Sequence, residues 1–128
     1  EIYHGWSLEE EGAFPDNSYG FMKAMNEAYQ YGTLTKVQTK NLLGKLMKPE
    51  IVQVGLSLGL AYENTWSCDN GNEVQCGECG ACWLRQKAFL DLGMEDLAQF
   101  QKKLVAEEVK VNRKQKSIED LFARLNVG

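Results

Sequence analysis

Histidine occurs only once in these 128 residues, at His4, and nothing beside it in the sequence makes it a ligand or a base. No apolar run is long enough to span a bilayer, so a membrane segment is not expected. No glycine-rich loop with a following lysine is present, which leaves the chain without a Walker-type phosphate site of its own. The sequence shows neither a secretory leader nor cysteines spread along its length, so a soluble, cytoplasmic protein is expected. The formal net charge of -4 disfavours wholesale nucleic-acid binding. A chain of this length makes one domain or a piece of one.

All four cysteines fall in one window: Thr65-Trp66-Ser67-Cys68, then Cys76, Cys79 and Cys82, with Arg85 and Lys87-Ala88-Phe89 just beyond. Two Cys-x-x-Cys steps share Cys79, and Cys68 lies upstream across a polar, turn-rich stretch, Asp69-Asn70-Gly71-Asn72-Glu73, that can fold back. Four thiolates then converge on one ion. Zinc is the expected occupant, because four thiolates complete its tetrahedral shell, leave no open position for water and require no redox activity. A pair of disulfides would need an oxidising compartment. A redox Cys-x-x-Cys would use two cysteines and leave Cys68 and Cys82 without a role.

Around this window the pattern is of short alternating elements. Residues 2–6 read as a strand. A helix is expected from Asp16 or Ser18, either of which can cap it, with Phe21, Met22, Met25, Ala28 and Tyr29 at helical spacing and Gly32 as its stop. The β-branched alternation from Thr33 to Thr39 predicts a second strand. Pro49 at a first helical position, Ile51, Val54 and Leu58 on one face, and Gly59 at the end predict another helix. A short helix over 85–92 should close at Gly93, followed by a longer amphipathic one over 95–109 and a last one with Ile118, Leu121, Phe122 and Leu125 as its apolar stripe. Ser117 and Asp120 resemble a capping pair for that last helix. The organisation expected is an α/β part over 1–65, a zinc-binding segment over 66–93 and a helical tail over 94–128.

Charge is uneven along the chain. Glu1, Glu9, Glu10, Glu11 and Asp16 make the front acidic, whereas Lys102, Lys103, Lys110, Arg113, Lys114 and Lys116 outnumber Glu107 and Glu108 in the tail. Such a tail reads either as a solvated helix face or as a seat for RNA or an acidic partner.

From Gly12 to about Asp96 the sequence resembles the C-terminal part of the 7-cyano-7-deazaguanine synthase family, the PP-loop ATPases of queuosine biosynthesis. The resemblance rests on Phe14-Pro15-Asp16 before a helix, Lys48-Pro49-Glu50-Ile51-Val52 at a helix start, Leu58-Gly59, Thr65-Trp66-Ser67-Cys68, the three further cysteines, and Arg85 with Ala88-Phe89. It implies the C-terminal portion of a parallel-sheet PP-loop fold of the adenine nucleotide alpha hydrolase type. It also implies an ATP-dependent carbon–nitrogen ligase that converts 7-carboxy-7-deazaguanine and ammonia to the nitrile, using ATP and magnesium. The carboxylate must be activated because its oxygen leaves poorly, and the charge developing on pyrophosphate must be held by backbone amides, cations and a metal.

Two departures limit what carries over. The family's Ser-Gly-Gly-x-Asp-Ser pyrophosphate loop occurs nowhere in these residues. The ligase therefore needs an N-terminal PP-loop half lost from this sequence or supplied as a separate subunit, and the chain alone is expected to be inactive. Asn17 also stands where the family has a cysteine, and Asp69 where an aromatic is common. Substrate contacts are expected from Asp16, Lys48 and Trp66, each with a plainer reading as a helix cap, a surface lysine and a core aromatic respectively. No catalytic residue is assigned. The expected partners are the missing half, a deazapurine substrate and further copies of the chain in a homo-oligomer. The competing functions are a zinc-ribbon-like module that binds nucleic acid or protein without catalysis, and an assembly piece that completes a PP-loop subunit.

Overall fold

The computed structural model describes residues 1–111 and 115–125. Among them are two strands, β1 (Ile2–His4) and β2 (Thr39–Asn41), and four α-helices: α1 (Tyr19–Gly32), α2 (Lys48–Ser57), α3 (Gly80–Asp91) and α4 (Ile118–Arg124). The chain divides into two compact units. One comprises Glu1–Met47 together with the C-terminal stretch from Glu119, and the other comprises Lys48–Ile118.

In the first unit β1 and β2 pair in parallel, Ile2 opposite Thr39 and His4 opposite Asn41. Parallel strands need a crossover, and α1 supplies it. Ser18 caps α1 by accepting from the Phe21 amide at 3.1 Å, so of the two expected caps Ser18 takes the role. Asn26 ties α1 to β2: its Nδ2 donates to the Thr39 carbonyl at 2.9 Å and its Oδ1 accepts from the Thr39 amide at 2.7 Å. The core of this unit is built from Trp6, Leu46 and Leu121. Trp6 meets Tyr19 edge to face at 4.9 Å, and Gly44 leaves room for its ring, since a Cβ there would collide with it.

The strand expected over 33–39 is corrected: β2 begins at Thr39. Thr33 Oγ1 accepts from the Val37 amide at 2.9 Å and Lys36 takes a left-handed φ of 49°, so a local turn claims the amides a strand would use. Leu58 is also corrected. It is exposed, because α2 ends at Ser57 and Gly59, at φ 76°, turns the chain away; Val52 and Val54 are the buried positions.

In the second unit α2 packs on α3 through Val52, Ala88, Phe89 and Leu92, with Leu56 and Tyr62 against them. Tyr62 and Phe89 meet edge to face at 5.2 Å. Gly55 lets the Tyr62 ring lie on α2, where any Cβ would strike the phenol. α3 starts five residues earlier than expected, directly inside the cysteine window, and closes at Gly93 with φ 72°.

The helix expected over 95–109 does not form. The Gln101 amide donates to the Gln75 carbonyl at 2.8 Å, the Lys102 amide to Cys76 at 3.1 Å and the Leu104 amide to Gln86 Oε1 at 2.9 Å. Amides that a helix would satisfy internally are held by the cysteine segment instead. The tail is therefore not helical throughout: α4 is its α-helix among the described residues, with only a 3-10 turn at Ala106–Glu108 before it. Three of its basic residues are paired, Lys102 near Glu78 at 3.6 Å, Lys103 on Glu95 at 2.5 Å and Lys116 on Glu50 at 2.5 Å. Arg113 and Lys114 lie outside the described residues. No helix among the described residues is long and apolar enough to cross a membrane.

Candidate metal centre

The cysteine window folds into two consecutive turns followed by a helix. Gly77, at φ 82°, lets the chain reverse after Cys76, and a Cβ there would collide with the Lys102 carbonyl. The reversal aims the Glu78 and Cys79 amides at Cys76 Sγ, at 3.5 and 3.3 Å. Cys79 then caps α3, its sulfur accepting from the Cys82 amide at 3.5 Å. Cys68 arrives from the other side and accepts from the Cys76 amide at 3.3 Å. The four sulfurs all lie within 4.8 Å of one another, and all four cysteines are free thiols.

These amides stabilise negative charge on sulfur. The Glu78 and Cys79 N–H groups bring the Cys76 thiol down to about 6. The Asp69 amide, with that of Cys82, lowers Cys79. Cys82 has no accessible surface, and its burial pushes its thiol up to about 12. A buried sulfur with that preference, facing two that ionise readily, is suited to a cation that would make all four thiolates favourable together.

A polar layer fixes this cluster from behind. Arg85, buried on α3, donates through Nε to Asp96 Oδ2 at 2.5 Å and through Nη2 to Oδ1 at 3.1 Å. Its remaining donors reach the carbonyls of Tyr62 at 2.8 Å and Thr65 at 3.1 Å, and its charge lies 5.7 Å from the Phe100 ring centroid. Gln75 Oε1 accepts from both the amide and the hydroxyl of Ser67, at 2.8 and 2.9 Å. Gln86 Nε2 donates to the Gly77 carbonyl at 2.8 Å.

The structure thus brings together Cys68, Cys76, Cys79 and Cys82, and places the other expected site residues outside the cluster. Trp66 flanks it, with Nε1 donating to the Cys68 carbonyl at 3.0 Å. The core reading of Trp66 is overturned, since the residue is 54% exposed. Lys48 is the first residue of α2, and Asp16 lies exposed in the loop before α1 in the other unit. Sequence reasoning missed Gln75, Gln86 and Asp96. Their partners are backbone groups, the Ser67 hydroxyl and a residue eleven positions away, which leave no spacing signal.

Residues 1–93 match the family model described as queuosine biosynthesis protein QueC. The chain is 41% identical over 96 residues to the 7-cyano-7-deazaguanine synthase of Methanothermobacter thermautotrophicus, covering 75% of this chain and 43% of that protein. It is 42% identical over 92 residues to the enzyme of that name from Methanosarcina barkeri, covering 72% of this chain and 40% of the relative. The similarity to the Saccharolobus solfataricus enzyme is 38% over 101 residues, 77% of this chain and 22% of that protein. The chain therefore spans less than half the length of these curated relatives. No solved structure matches it.

Proposed function

Because the chain belongs to the queuosine biosynthesis protein QueC family, we propose that it is the zinc-bearing C-terminal portion of an ATP-dependent ligase of PP-loop fold. That ligase joins ammonia to 7-carboxy-7-deazaguanine and yields 7-cyano-7-deazaguanine. The observation that carries the reading is the four-cysteine cluster directly following Thr65-Trp66-Ser67, within a stretch similar throughout to enzymes named for that product.

Cys68, Cys76, Cys79 and Cys82 hold zinc in this reading. Bound there, the ion supplies a closed, redox-inert cross-link with no open coordination position. The chain's own residues do the rest: Arg85 and Asp96 fix the Tyr62–Thr65 turn, and Gln75 fixes Ser67, so that Trp66 is held at the surface beside the cluster. Trp66 offers an aromatic face to the deazapurine; Lys48 at the start of α2 and Asp16 in the other unit are further proposed substrate contacts, each taken within its own unit. ATP and magnesium act on residues outside these 128, since no phosphate loop is among them. That loop comes from an N-terminal half in the same polypeptide or from a separate subunit, and the assembly is a cytoplasmic homo-oligomer.

The test is product formation. Supplied with a part bearing the pyrophosphate loop, the chain should convert the acid to the nitrile in an ATP- and ammonia-dependent way, detected by mass spectrometry, and by itself it should form none. A zinc-loaded chain that yields no nitrile under any complementation, yet binds RNA with steep salt dependence, would replace the ligase with a binding module. The pairing of Lys102, Lys103 and Lys116 with acidic side chains supports the ligase over that module.

A further inference from the structure

Beside the cysteine cluster lies a cleft of about 380 Å³, with Trp66 and Leu97 among its walls. Both side chains are held outward by buried neighbours. Thr65 and Ser67, on either side of Trp66, are tied to Arg85 and Gln75; Asp96 and Ala98, on either side of Leu97, are buried and joined by the Ala98 amide on Asp96 Oδ1 at 3.0 Å. The exposure of Leu97, 72%, is thus imposed by its anchored flanks. Trp66 has already committed its N–H to Cys68, so what it offers a ligand is its ring face.

The charged groups of the cleft are acceptors. Glu63 and Glu73 line it together with Asn64 and Gln99, and no lysine or arginine among the described residues does. A phosphate or a nucleotide triphosphate would meet two carboxylates with no cation to offset them. A planar base with adjacent N–H donors suits it, because a carboxylate is acceptor-only and takes two parallel N–H groups at once.

We propose, resting on the deazapurine ligase reading above, that this cleft seats a neutral guanine-type heterocycle, stacked on Trp66 and read along its N1–H and 2-amino edge by Glu63 and Glu73. The substituent at position 7 lies on the five-membered ring, away from that edge. The reacting carboxylate then points out of the cleft and away from both glutamates, toward the part of the enzyme that activates it.

The experiment is calorimetric titration of the zinc-loaded 128-residue chain with 7-deazaguanine, 7-deazahypoxanthine, which lacks the 2-amino group, and AMP. Saturable binding of 7-deazaguanine is expected, with at least about tenfold weaker binding of 7-deazahypoxanthine and none of AMP. Trp66→Leu should weaken all base binding about tenfold or more. A Glu63→Gln/Glu73→Gln double variant, altered only at exposed positions, should remove the preference for the 2-amino group. Equal affinity for the two bases, no saturable binding of 7-deazaguanine, or unchanged binding in the double variant would each overturn the proposal. The ligase reading fails separately. Selective base binding by a protein that makes no nitrile would sink the ligase and leave the cleft, while nitrile formation with unchanged KM in the double variant would do the reverse.

Discussion

Arg85 and Asp96 are both almost completely buried and form a two-pronged ion pair whose spare donors are spent on two carbonyls. Removing one partner leaves the other charge in a site built to exclude water. Arg85→Met should therefore destabilise the chain by about 3–5 kcal/mol in urea unfolding. Arg85→Lys should recover only part of that, because an ammonium cannot serve Asp96, Tyr62 and Thr65 together. At the cluster, Cys79→Ser removes one of the four proposed zinc ligands and the sulfur that caps α3. The variant should lose stoichiometric zinc by elemental analysis; if it keeps its fold and one zinc per chain, the four-cysteine assignment is wrong. Arg85 and Cys79 could be singled out in the sequence. Asp96 could not, since an aspartate in a stretch with helical periodicity gives no sign that an arginine on another element claims it.

Within the element formed by the two cysteine turns and the start of α3, the thiols are set against each other. Cys76, lowered to about 6, favours the folded state while ionised. Its contribution is fully present above the ordinary thiol range and is lost as pH falls toward 6. Cys82, raised to about 12, favours the folded state while protonated. Its contribution is full below the ordinary range and is lost as pH rises toward 12. In the reduced, metal-free chain at pH 7, iodoacetamide should accordingly label Cys76 early and Cys82 last, read by peptide mass spectrometry. Bound zinc should suppress both reactions. The same element depends on Gly77, where a side chain would need both a left-handed backbone and the space of the Lys102 carbonyl. Gly77→Ala should lower the unfolding temperature and weaken zinc retention in a chelator competition.

On the scale of the whole molecule, zinc held by the four cysteines as proposed would contribute its binding free energy to the folding of the unit that contains the cluster. Chelation should strip hydrogen-exchange protection from Cys76, Cys82, Gln101 and Lys102. The amide of Thr39 in the other unit, held by Asn26, should keep its protection. Uniform loss across both units would mean that the ion supports more than its own unit. By itself the sequence determined both ends of α1 and the C-terminal end of α3, through Ser18, Gly32 and Gly93, and the convergence of four cysteines, because caps, glycine stops and ligand spacing are local physics. Only the tertiary structure decided that 95–109 is not a helix and that Trp66 faces outward. Those outcomes depend on amides and side chains competing for partners distant in sequence. A periodic pattern records what an isolated segment prefers, and the Gln75–Cys76 carbonyls and the buried Arg85 outbid that preference in the folded chain.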